Sequence, residues 1–130
     1  MSVHTSGAVV AVVDDDHSIL QSLAYLLESA DYSVRLFASG TELLASGAVA
    51  EIACLVSDID MPGLDGFELL RQVHAVRPNL PTVFITGYPD RLARLPAFLG
   101  VIPRVFIKPF QGRELLGAVQ DAVRAGGRVP

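Results

Sequence analysis

In Leu55-Val56-Ser57-Asp58-Ile59-Asp60-Met61-Pro62-Gly63 an apolar run ends on a carboxylate, and Pro62-Gly63 then forces a turn. With the residues before it, the run reads as a short buried strand from Ile52 to Ser57 that delivers Asp58. Asp58 therefore stands at the carboxyl end of a strand. In open α/β sheets, ligands bind in the crevice outside such ends. A lone Asp there is often only a turn residue, so its weight depends on what the other strand ends carry.

Working outward, Ala8 to Val13 is a valine-rich run that predicts a central parallel strand, buried on both faces. Asp14-Asp15-Asp16 follows, then Ile19, Leu20, Leu23, Leu26, Leu27 and Ala30 at helical spacing, with Asp16 or Ser18 as the cap. Ser33 to Phe37 alternates as a second strand, and Ser39-Gly40-Thr41-Glu42 is a capping box opening a second helix. Asp65-Gly66-Phe67-Glu68 opens a third helix in the same way, which Pro78 stops. Thr82 to Ile85 reads as a fourth strand ending on Thr86-Gly87, and Arg104 to Ile107 as a fifth, followed by Lys108-Pro109-Phe110. Between them, Tyr88 to Pro103 is irregular. Asp90 could cap a helix there, but an interior Pro96 would cost about 3 kcal/mol or more, so the helix is very short or restarts at Pro96. The last helix spans about Arg113 to Ala125, and Gly126-Gly127 ends it.

Five strands alternating with five helices predict a parallel sheet covered on both faces by right-handed crossovers. The expected fold is a flavodoxin-like (βα)5 sandwich, strand order 2-1-3-4-5, with strands 1 and 3 central. Residues 1–8 read as a flexible tail, 9–125 as one domain, and 126–130 as a tail or linker stub.

Composition narrows the class. A chain of 130 residues is one domain and buries roughly two thirds of its unfolded surface. A net charge of -4 argues against nucleic-acid binding by this chain. Cys54 is the single cysteine, so no internal disulfide forms, and a buried structural thiol is favoured over a reactive one. No basic start precedes a long apolar stretch, and no apolar run approaches the ~18 residues of a membrane span. The expectation is a soluble cytoplasmic domain without membrane contact.

A parallel sheet brings its strand ends to one edge. Asp14, Asp15 and Asp16 follow strand 1, Asp58 strand 3, Thr86 strand 4 and Lys108 strand 5. Carboxylates crowded there repel, by about 4 kcal/mol for two charges ~4 Å apart at an effective dielectric near 20. A hard divalent cation compensates, and Mg²⁺ favours a few carboxylates with waters and phosphate oxygens. Lysine suits phosphate oxygens as a point cation. A threonine hydroxyl can donate to a phosphoryl oxygen, and a carboxylate beside the cation can attack phosphorus.

Val12-Val13-Asp14-Asp15, Ser57-Asp58 through Met61-Pro62 to Gly66, Ile85-Thr86-Gly87 and Lys108-Pro109-Phe110 together resemble the receiver domains of bacterial two-component response regulators. Each motif alone is weak; the four in order, from about Val9 to Ala125, are highly specific. Ile85-Thr86-Gly87 particularly resembles receivers that precede LuxR-type helix-turn-helix domains. The resemblance implies that Asp58 accepts a phosphoryl group from a sensor histidine kinase. It implies that Asp14, Asp15, Asp58 and the backbone carbonyl of Asp60 hold Mg²⁺, and that Thr86 and Lys108 contact the phosphoryl group. Lys108-Pro109 would be a cis peptide. The domain would be a phosphorylation switch, not a turnover enzyme, acting in transcription regulation through the face made by the fourth helix, fifth strand and last helix. Its partners would be the kinase and an effector domain, a target protein or a second receiver.

Two positions depart from the family pattern. Val105 stands three residues before the lysine, where the family carries its switch aromatic; Phe106 falls on the opposite side of the strand, which leaves Tyr88 as the substitute. Pro96 and Pro103 interrupt the fourth helical stretch and the turn after it. An unusual surface from Leu92, Leu95, Phe98, Leu99 and Ile102 is expected there, with core packing slightly favoured over an interface.

Plainer readings stand beside these. Asp16 reads as an acidic helix start and no more. The Asp60 side chain faces solvent, or lies at the pocket mouth and redirects water attack, with equal weight. His17 and His74 have no partner at ligand spacing and read as structural or exposed. Two other functions compete. Asp58-Ile59-Asp60 also fits the Asp-x-Asp of haloacid-dehalogenase phosphohydrolases, although the acidic pair comes first and 130 residues leave no spare length for a substrate cap. Val105 and Pro96 also suit a degenerate receiver acting as an interaction module.

Overall fold

The computed structural model of the protein describes residues 7–90 and 104–126. Five strands, β1 (Val9–Val13), β2 (Ser33–Phe37), β3 (Cys54–Asp58), β4 (Thr82–Thr86) and β5 (Arg104–Ile107), form one sheet in the order β2-β1-β3-β4-β5. Every pair is parallel. Helices α1 (His17–Glu28), α2 (Gly40–Ser46), α3 (Gly66–Val76) and α4 (Gly112–Gly126) accompany it, with a 3-10 turn at Ala48–Ala50. The flavodoxin-like architecture and its strand order are as the sequence predicts. The expected helix between β4 and β5, with its Pro96 and its apolar surface from Leu92 to Ile102, lies outside the described residues, as do the N-terminal tail to Ser6 and the last four residues.

The period of two within each strand divides the core. Val10 and Val12 of β1 point to one face, where Leu20, Leu23 and Leu27 of α1 and Leu115, Ala118 and Val119 of α4 cover them. Ala11 and Val13 point to the other, beneath Leu43 of α2 and Leu69 and Val73 of α3. Burial on both faces explains why β1, and β3 as far as Val56, read as unbroken apolar runs. Phe106 packs with the α1 and α4 layer, whereas Val105 packs against Ile59, Leu70 and Phe84 on the α3 side, so the two do lie on opposite faces.

Helix starts are set locally. Asp16 caps α1, its carboxylate accepting from the Ser18 and Ile19 amides, and so resolves the choice between Asp16 and Ser18. Ser39 caps α2 and Asp65 caps α3. The second capping box is only half formed: the Glu68 side chain turns outward to Arg71 and Gln72 instead of back to its cap. At the other end of the chain, α4 runs one residue further than the glycine pair predicts, to Gly126.

Candidate functional site

The sheet order puts β1, β3, β4 and β5 side by side, so their carboxyl ends deliver Asp14, Asp58, Thr86 and Lys108 to one place. Main-chain bonds fix the loops that carry them. Asp14 N donates to Phe37 O at 3.1 Å, Ile59 N to Ile85 O at 2.9 Å, and Lys108 N to Thr86 O at 2.7 Å. Lys108-Pro109 is a cis peptide. After β3 the chain folds back so that Gly66 N donates to Ile59 O at 2.9 Å. A Cβ on Gly66 would lie 2.5 Å from the Asp58 carbonyl oxygen, so glycine is what lets α3 start against the residue that follows β3. Gly63, at φ 78°, makes the turn before it.

Asp58 is only 3% exposed, and Asp14 and Thr86 are fully buried. Lys108 Nζ bridges Asp14 Oδ2 at 3.1 Å and Asp58 Oδ2 at 3.3 Å. The first contact is an ion pair without hydrogen-bond geometry, which leaves the buried Asp14 Oδ2 with no hydrogen-bond partner. The other Asp14 oxygen accepts from Asp16 N at 2.8 Å, and Asp58 Oδ1 accepts from Asp60 N at 3.1 Å. One oxygen each from Asp14, Asp15 and Asp58 lie within 4.8 Å of one another. Asp15, Asp16, Asp58, Asp60, Gly87, Tyr88 and Lys108 line a cavity of about 570 Å³ above them.

The electrostatics follow from this crowding. Burial, reinforced by the Asp14 charge, pushes the Asp58 carboxyl up to about 6, against the lowering effect of the Asp60 amide and of Lys108. Burial works to lower Lys108, but its ion pairs with Asp14 and Asp58 outweigh burial and raise it. An all-oxygen donor set with one orphaned buried carboxylate oxygen fits a hard divalent cation. The same positions can present a carboxylate nucleophile beside a lysine and a threonine.

The metal contact expected of Asp60 is its backbone carbonyl; its side chain has a separate place. Its carboxylate is not part of the acidic cluster among the described residues; it accepts from Thr86 Oγ1 at 2.5 Å. Asp60 is half-buried and lines the cavity. Thr86 Oγ1 also accepts from Tyr88 N at 2.9 Å, a tie that no sequence signal announces. The Tyr88 side chain is 58% exposed. Among the described residues, His17 pairs with Gln21 and His74 with the Leu80 carbonyl. Burial pushes the Cys54 thiol up to about 12, as expected of an inert core residue.

The profile described as response regulator receiver domain matches residues 10–120. The chain belongs to the response regulator receiver family. The receiver is 35% identical over 121 residues to the transcriptional regulatory protein FixJ of Bradyrhizobium diazoefficiens, covering 92% of this chain and 58% of that protein. It is 32% identical over 117 residues to the response regulator protein TodT of Pseudomonas putida, covering 90% of this chain and 52% of that protein. It thus spans about half the length of these curated relatives. Among solved structures, the signal receiver domain of an HD domain-containing protein from Pseudomonas fluorescens Pf-5 superposes with a TM-score of 0.83 at 30% identity, covering 92% of this chain and 97% of that one. A chemotaxis protein CheY4 structure from Vibrio cholerae gives 0.78 at 30% identity, over 89% and 98%. The chain is thus a receiver of the two-component response regulator type. Among the described residues no helix is long and apolar enough to cross a membrane.

Proposed function

We propose that Asp58 is the phospho-acceptor of this receiver and takes its phosphoryl group from a sensor histidine kinase. The supporting observation is a buried carboxylate at the end of β3, flanked by Lys108 at 3.3 Å and by the orphaned Asp14 Oδ2. An Asp58 oxygen attacks phosphorus, the N–P bond of the donor phosphohistidine breaks, and its electron pair stays on the imidazole. The product is an acyl phosphate; water attack at phosphorus later returns the carboxylate and inorganic phosphate.

Asp14, Asp15 and Asp58, with the Asp60 carbonyl, would hold Mg²⁺. When bound, the ion neutralises charge shared between carboxylate and phosphoryl oxygens. Asp14 and Asp15 hold the negative charge that recruits the cation. Lys108 stands ready to pair with a phosphoryl oxygen, and the Asp60 amide orients Asp58. Thr86 supplies a hydroxyl donor to the phosphoryl group. Phosphorylation shifts a pre-existing balance of conformations.

The output is transcription regulation in the cytoplasm, through an effector of the LuxR-type helix-turn-helix class. Support comes from Ile85-Thr86-Gly87 and from the likeness to FixJ, named a transcriptional regulatory protein. Intact mass after treatment with acetyl phosphate and Mg²⁺ tests the acceptor: one added phosphoryl group in wild type and none in Asp58→Asn. Equal labelling of both proteins would refute it.

A further inference from the structure

The hydroxyl of Thr86 has one proton to give and two lone pairs. In this structure it accepts from Tyr88 N at 2.9 Å and gives its proton to Asp60 Oδ2 at 2.5 Å; the Tyr88 carbonyl, at 3.3 Å, is the weaker claimant. Asp58 receives none of it: its oxygens are met by the Asp60 amide and by Lys108. Asp60 therefore touches both halves of the switch, its main chain holding the acceptor and its side chain holding the threonine. A hydrogen bond to a charged acceptor is roughly twice as strong as a neutral one, and Thr86 is fully buried, where such bonds strengthen further.

We propose that Asp60 is a positioning residue that latches Thr86 in the resting state, so that a phosphoryl group on Asp58 must compete with the Asp60 carboxylate for one hydroxyl proton. This rests on Asp58 being the acceptor. The latch lowers the fraction of molecules whose Thr86 is available, and apparent affinity for a phosphoryl mimic falls in proportion. The Tyr88 amide, bonded to the same hydroxyl, is released in the same movement. The threonine's change of partner thereby reaches the cavity wall without an aromatic at Val105.

Asp60 also carries charge near the site, and simple repulsion of an anion would act in the same direction. Two features separate the mechanisms. A latch works through the Thr86 hydroxyl and vanishes without it; repulsion does not. A latch is partly preserved by the neutral acceptor of asparagine; repulsion is not.

The test is titration of the full chain with beryllofluoride in the presence of Mg²⁺, following the amide resonances of Thr86 and Tyr88. Asp60→Ala should bind about tenfold tighter than wild type and Asp60→Asn by a smaller factor, roughly threefold, as expected from removing or weakening one hydrogen bond to a charged acceptor. In a Thr86→Val background, Asp60→Ala should change affinity less than twofold. An unchanged affinity for Asp60→Ala, an equal gain for Asp60→Asn and Asp60→Ala, or a gain that persists in the Thr86→Val background would overturn the latch. Asp58→Asn is the control for the underlying reading: binding that survives it would refute Asp58 as acceptor, and the latch with it.

Discussion

Replacing Asp58 with asparagine should stabilise the metal-free protein at neutral pH, because the substitution removes one of the carboxylates crowded at the strand ends. Asp58 titrates near 6 when folded, against 3.8 as an ordinary carboxyl. Below pH ~4 both states hold the proton and the group is neutral in its effect. Between about 4 and 6 only the folded state holds it, so stability falls as pH rises, and the full cost is present above ~6. At about 1.36 kcal/mol per pH unit, the interval from 3.8 to 6 corresponds to about 3 kcal/mol at pH 7.5. The cavity beside the carboxylate and the loss of an anionic partner for Lys108 reduce the net gain to about 1–2 kcal/mol. For a domain of this size that is a rise in Tm of roughly 3–8 °C. Thermal unfolding in EDTA, at pH 7.5 and again near pH 4, reads it directly: the variant melts higher at 7.5, and the two curves converge near 4. Saturation should reverse the order, since Mg²⁺ at a hundred times its Kd adds about 2.7 kcal/mol to wild type alone. Asp58→Asn melting at or below wild type at pH 7.5 without metal would refute the picture of a strained acidic pocket.

Other positions give sharp expectations. Lys108→Met leaves Asp14 and Asp58 facing each other with no cation, and should cost about 3 kcal/mol at pH 7.5 in urea unfolding, with a smaller loss at pH 5, where Asp58 is protonated. Gly66→Ala places a Cβ 2.5 Å from the Asp58 carbonyl oxygen and 2.8 Å from Ile59 Cα; a loss of about 1–3 kcal/mol and slower labelling by acetyl phosphate should follow. Cys54 is buried and its thiol titrates near 12, so a thiol reagent at pH 8 should modify it only at the rate of unfolding.

The strands were legible because their physics is local. A doubly buried parallel strand is mostly apolar, and Val9–Val13 and the Cys54–Val56 part of β3 are such runs; the Arg104–Ile107 strand matches the sequence reading to the residue. Helix starts followed from Asp16, Ser39 and Asp65, each a side-chain oxygen within reach of an orphan amide. The convergence of Asp14, Asp58, Thr86 and Lys108 needed only the parallel order. What stayed hidden depends on distances across the site. Asp60 follows β3 and Thr86 ends β4, 26 positions apart, and nothing in either stretch reveals that their side chains meet. Glu68 had two partners in reach besides its cap, and Arg71 with Gln72 took it. In the sequence Gly66 is simply part of a helix start; its close approach to β3 becomes visible only once α3 is docked.

Borohydride reduction of the labelled protein, followed by peptide mapping, tests the central claim most directly. An acyl phosphate on Asp58 is reduced at that carbon to the alcohol, so homoserine should appear at position 58 and nowhere else, only after treatment with acetyl phosphate and Mg²⁺. Homoserine at another aspartate, or phosphoryl label that survives reduction, would contradict it.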